Sequence, residues 1–277
     1  MVNEVIILVR EMLSLRMNTR LLDTIESAFN TLTEFCQGPC NANQSRMVDC
    51  NICHEANKVF KLTPNNAIDE NTLFDVKSAV VIMLLSLLEG CRERSRPATI
   101  LGTLDMETIK QNMPRQFSQE TSLRSLSHSM DRGQERAFDF WFNAFLLVYQ
   151  LRYLTHDDHL RSYMTEMPGY ELFDSMLCTI EIARGDVVEK VFFRKPMDAQ
   201  YLTPEAKSEL LETVDRSTQT AKLLDFYTKG FQLMHQLQHQ TYVRNFLETY
   251  IPQPSPFPPP LDKWRRRYNT VVYPMLS

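Results

Sequence analysis

Apolar positions Leu21, Leu22, Ile25, Phe29, Leu32 and Cys36 recur three and four residues apart, the spacing of one buried stripe on a helix. Gln37-Gly38-Pro39 should end it, because Gly accepts a left-handed cap and Pro has no N–H to donate. A second helical stretch is expected from about Ser45 to Thr63-Pro64-Asn65-Asn66. Leu73 to Leu88 is apolar nearly all round, which predicts the central helix of a bundle, closed by Gly90. Thr99–Met113 reads as a weaker helix, and Pro114 to Gly133 as a polar, Ser-rich loop. Phe138, Trp141, Phe142, Phe145, Val148, Tyr149 and Arg152 then outline a helix with a broad aromatic face.

After Met167-Pro168-Gly169 the period changes. Thr179-Ile180-Glu181-Ile182 alternates, Arg184-Gly185-Asp186 offers a turn, and Val187 to Phe193 is β-branched and aromatic, which together predict one β-hairpin. Thr203-Pro204-Glu205 has the chemistry of a helix start, and a long helix with Leu224, Tyr227, Phe231, Met234 and Gln238 on one face should follow. Pro252 to Pro260 reads as an extended polyproline spacer, and Lys263-Trp264-Arg265-Arg266-Arg267-Tyr268 as a basic, aromatic tail. The expected fold is mainly α: a helical solenoid or bundle over 1–167, a β-hairpin-plus-helices unit over 168–251, and a spacer with its tail over 252–277.

Composition narrows the function classes. A net charge of −4 gives no basic face for nucleic acid. Seven glycines are few for a sandwich or barrel. The first ten residues read as an amphipathic helix rather than a signal peptide, and Ala79 to Leu88 is half the length of a bilayer crossing, so no transmembrane helix is expected. A reducing compartment then makes the six cysteines thiols.

Candidate chemistry is sparse. Cys36, Cys40, Cys50 and Cys53, with His54, fall within a short span, but Cys36 sits on an apolar stripe and Cys50 and Cys53 in a helical stretch. Structural thiols fit better than a zinc knuckle or a haem attachment. His235 with His239, and His156 with His159, lack the carboxylate of a metalloprotease helix. Phosphate-loop and nucleophile-elbow patterns are missing, so an enzyme is not expected and neither is a tightly bound cofactor. The tail, residues 261–277, has the charges and rings to meet an anionic membrane surface.

One motif is sharper. Leu32-Thr33-Glu34-Phe35-Cys36-Gln37-Gly38-Pro39-Cys40, followed by Asn43-Gln44, resembles the signature of the associated domain shared by inositol trisphosphate receptors and ryanodine receptors. Val81 to Gly90 is similar to the ryanodine branch. Ile180-Glu181-Ile182 with Glu189 to Phe193 is similar to the hairpin before the membrane in both branches, and Leu202-Thr203-Pro204-Glu205 with Lys207 to the following helix of the other branch. The resemblance runs in order over residues 21–215.

It implies a non-catalytic segment of an intracellular calcium-release channel on the cytosolic face of the endoplasmic reticulum or another internal store. Its partners would be other domains of that channel, assembled as a homotetramer. It also implies that Glu34 is a ligand for activating calcium with Gln37 in support, binding weakly unless the missing domains supply more oxygens. Whether the chain is a fragment or a short relic stays open. A free-standing helical adaptor that binds proteins through its Pro-rich tail is the alternative.

Overall fold

The computed structural model describes residues 1–113, 132–184, 187–196, 199 and 202–250, with the backbone alone at 132–135, 184, 187 and 244–250. Most of the expected loop at 114–133, the turn at Gly185-Asp186, the Pro-rich spacer and the basic tail lie outside the described residues. The fold is mainly α, and among the described residues the only sheet is one two-stranded hairpin. The chain forms two compact units, 1–195 and 196 onward.

In the first unit α1 (Val2–Met12) and α2 (Thr19–Cys36) are followed by two short helices, α3 (Asn41–Asp49) and α4 (Ile52–Phe60). The expected single stretch after the Gln37-Gly38-Pro39 turn is therefore split. Asn51 supplies the break at φ 62°, in the left-handed region that asparagine tolerates better than most residues. Of the stripe read on α2, Leu22, Ile25, Phe29, Leu32 and Cys36 are buried and Leu21 is half-buried. They face α5 (Glu70–Leu88), whose Leu73, Val76, Val80, Leu84 and Leu87 are buried in turn. Among the described residues α5 alone is long and apolar enough to cross a membrane. It packs instead between α2 and a later helix, as a core helix does.

The weak helix expected over 99–113 is also two, α6 (Ser95–Thr103) and α7 (Met106–Gln111). Asp105 starts the second by accepting a hydrogen bond from the Thr108 N–H at 3.1 Å. The aromatic helix α8 (Arg132–Thr155) begins one residue before the expected loop end at Gly133. Its Phe140 meets Phe74 of α5 edge-on at 5.7 Å. Two short helices not foreseen, α9 (His159–Thr165) and α10 (Tyr170–Met176), fold back on it, and Phe173 of α10 is ringed by Phe138, Phe142 and Phe145.

The hairpin pairs β1 (Leu177–Arg184) with β2 (Val187–Arg194) antiparallel, Leu177 opposite Arg194. Phe192 holds it to α8, its ring 5.1 Å from Tyr149 and 5.0 Å from Tyr153. Arg194 pairs with Asp139 of the same helix. The hairpin, grouped with the following helices by the sequence reading, is thus packed within the first unit.

The second unit contains α11 (Pro204–Thr213) and α12 (Gln219–Tyr250). The expected helix start is confirmed: Thr203 Oγ1 accepts from the Ala206 N–H and Pro204 opens the helix. The long helix is interrupted over 214–218, where Asp215 Oδ1 accepts from the Ser217 N–H and Thr218 Oγ1 from the Ala221 N–H. The first is a local turn bond that competes with helix continuation, and the second caps the start of α12.

Candidate functional site: the signature turn and its seat

α2 ends where the sequence says it should. Gln37 leaves helical geometry, Gly38 takes φ 97°, and the Cys40 N–H returns to the Cys36 carbonyl at 2.9 Å. The following α3 is tied back to α2 by Asn43, whose amide donates to the Phe35 carbonyl at 2.8 Å. Glu34 and Gln37 both stand exposed at this helix end. The C-terminal dipole of α2 favours a cation there. Among the described residues no group of three or more His, Cys, Asp or Glu side chains gathers where it could hold a metal ion. His156 and His159, and likewise His235 and His239, are exposed.

Beneath the turn lies a polar node that sequence reasoning missed. Gln44 is fully buried, and its amide donates to the carbonyls of Ser86 at 2.7 Å and Glu89 at 3.0 Å. Its Oε1 accepts from Arg96 at 3.0 Å. The Arg96 guanidinium, also buried, donates in addition to the Leu87 carbonyl at 3.2 Å, Asn41 Oδ1 at 3.0 Å and Ser45 Oγ at 3.2 Å. Ser86, Leu87 and Glu89 belong to the end of α5, where carbonyls have no partner within their own helix. Gln44 supplies amide donors to this negative helix end and Arg96 supplies a cation. A buried charge is tolerated only when hydrogen-bonded, and four acceptors meet that requirement here. Arg96 Nε is the exception, buried without a partner among the described residues.

The turn also touches the end of α5 directly. Gly90 has φ 62°, and a Cβ placed on it would lie 2.3 Å from Pro39 Cγ. The signature Leu32–Gln44 and the block Val81–Gly90, far apart in sequence, therefore form one contact. A second anchor holds α1 to α4: buried Glu55 accepts from Arg10 at 2.9 Å and Lys58 at 2.8 Å. Burial would raise its pKa, but hydrogen bonds from Lys58 and Arg10 outweigh it and hold the carboxyl below its ordinary value. Its contribution to stability is therefore present above the usual carboxylate range and lost as pH falls through the lowered value.

The cysteines separate by environment. Cys36 is buried with its thiol 3.7 Å from Met47 Sδ, and burial raises its pKa. Burial pushes the Cys53 thiol up to about 12. Cys40 and Cys50 are half-buried, and the Cys50 thiol donates to Asn3 Oδ1 at 3.3 Å. Since the thiolate is the nucleophile, a disulfide-exchange reagent at neutral pH is expected to reach Cys40 and Cys50 well before Cys36 and Cys53, which should label only on unfolding. Equal labelling rates across these four, read by peptide mass, would contradict the assigned burial.

With this geometry in place, comparison with known families adds one finding. Residues 1–60 match the family described as RyR and IP3R Homology associated. That segment is similar to the domain the signature suggested, and the limit of the match coincides with the end of α4. The seat of the turn, on α5 and Arg96, lies beyond the matched residues.

Proposed function

We propose that the chain acts as a cytosolic coupling segment of an intracellular calcium-release channel, with no catalysis of its own. The observation that carries the reading is the receptor-type match over residues 1–60, with its signature turn locked onto the central helix of the following bundle. Receptor-homology domains of this type belong to channels, which are not enzymes. Displacement of the turn would be felt by α5 through Gln44 and Arg96, by α8 through Phe74 and Phe140, and by the hairpin through Phe192. The first of these contacts are hydrogen bonds from side chains to backbone carbonyls and the others are packed rings, so a shift at one end biases the other.

In this reading calcium binds at Glu34 with Gln37, completed by oxygens from other domains, and four copies surround a pore at the endoplasmic reticulum or a similar store. The tail at 261–277 would rest on the membrane surface. Glu34→Ala in a channel assembled with the flanking domains is expected to weaken calcium activation, because it removes one of a few anionic ligands. Folding should be unaffected, since an exposed carboxylate at a helix end is worth little, within roughly 0.5 kcal/mol. An unchanged calcium dose–response would remove Glu34 from the site. The alternative, a free adaptor, is separated by the full-length transcript: hydrophobic spans encoded after Ser277 favour the channel, and an immediate stop codon favours the adaptor.

A further inference from the structure

A cavity of about 720 Å³ opens between the loop after α4, the start of α5, and α7. Leu73, Phe74 and Phe140 form an apolar side, and Glu70, Glu107 and Lys61 bring charges of both signs. Lys77, in the middle of α5, contributes to the wall and is only 8% exposed. Its amine donates to the Leu62 carbonyl at 2.9 Å and to Asn112 Oδ1 at 2.6 Å. Asn112 cannot turn away, because its own amide donates to the carbonyls of Phe60 and Thr108 at 3.0 and 2.8 Å. Among the described residues no carboxylate pairs with Lys77.

We propose that this cavity is a covalent docking site for small aromatic or aliphatic aldehydes, with Lys77 as the amine that captures them. Two carbonyl acceptors occupy two N–H bonds and leave the third position of the nitrogen unassigned. In the free base that third position is the lone pair. Burial without a counter-ion favours the free base, and desolvation pushes the Lys77 pKa down to about 8. The lone pair attacks the carbonyl carbon, a C–N bond forms, and the oxygen takes up a proton. Loss of water, carrying the oxygen and two hydrogens, then leaves an imine with no net oxidation or reduction. The apolar body of the aldehyde lies against Phe74 and Phe140, and the net negative charge of Glu70 and Glu107 over Lys61 suits a neutral reactant better than an anion.

With its pKa pushed down to about 8 by burial, Lys77 holds far more free base near that pH than an ordinary lysine, which is under about 1% free base there. The test incubates the full chain with benzaldehyde and traps imines with cyanoborohydride, reading each lysine by peptide mass spectrometry. Lys77 is expected to label about tenfold or more faster than exposed Lys61, with a rate rising through pH 8, and to lose that advantage in guanidinium chloride. Lys77→Arg should remove this one adduct and leave the others unchanged. Labelling of native Lys77 no faster than Lys61, or an advantage that survives denaturation, overturns the proposal. The wild-type comparison decides even if the variant fails to fold.

Discussion

Arg96→Ala is expected to lower the stability of the first unit by about 3 kcal/mol. Removing the guanidinium leaves Gln44 Oε1, the Leu87 carbonyl, Asn41 Oδ1 and Ser45 Oγ without their donor. Gln44 and Leu87 are buried, and each of their acceptors so orphaned costs about 1–3 kcal/mol, whereas water can reach exposed Asn41 and half-buried Ser45; the loss is partly offset because the cost of burying the cation also disappears. At about 2–4 °C per kcal/mol, the thermal midpoint should fall by roughly 6–12 °C. Arg96→Lys should recover part of the loss but not all, because an ammonium cannot span acceptors on α3 and α5 as a planar fork does. A fall below about 1 kcal/mol for the alanine variant would mean that the node contributes little to the fold.

Gly90→Ala is expected to cost about 2–4 kcal/mol, from two sources that can be separated. A left-handed backbone at φ 62° penalises alanine by about 1–2 kcal/mol. The rest is steric, since the new Cβ would overlap Pro39 Cγ at 2.3 Å. In a double-mutant cycle with Pro39→Ala, most of the steric part should be relieved, the retained Cβ of residue 39 still lying 3.0 Å away, and the backbone part should remain, a coupling of about 1–2 kcal/mol. Strictly additive losses would show that the two residues do not press on each other in solution. Urea unfolding of the full chain, followed by a probe in the first unit such as Trp141, would measure both.

Much of the helical content is legible in the sequence because it is written in periodicity. Leu22, Ile25, Phe29, Leu32 and Cys36 are buried on the stripe their spacing defines, and the hairpin falls where the period drops to two. Breaks inside helical stretches are harder to read, because they depend on single polar residues. Asn51 at positive φ and Asp105 as an N-cap each divide a helix without disturbing the apolar pattern on either side. Arg96 is illegible for a different reason. A charged residue between Ser95 and Pro97 looks solvent-exposed, and three of its four acceptors lie some fifty positions away. Glu34 and Gln37 are candidates by resemblance alone, since nothing in the spacing of apolar and polar residues marks them, and they stand exposed at a helix end.

The hairpin has a mechanical consequence. An isolated two-stranded ribbon is marginal in water, so β1 and β2 depend on the Phe192 anchor between Tyr149 and Tyr153. That anchor lies near one end of the ribbon, and exposed Val188 lies near the other. At about 3.3 Å per residue, the four-residue span between them is a lever arm of about 13 Å. Tilting α8 by about 10° would therefore sweep Val188 through about 2 Å, a displacement large enough for a neighbouring surface to register, while the packing around Phe192 moves hardly at all.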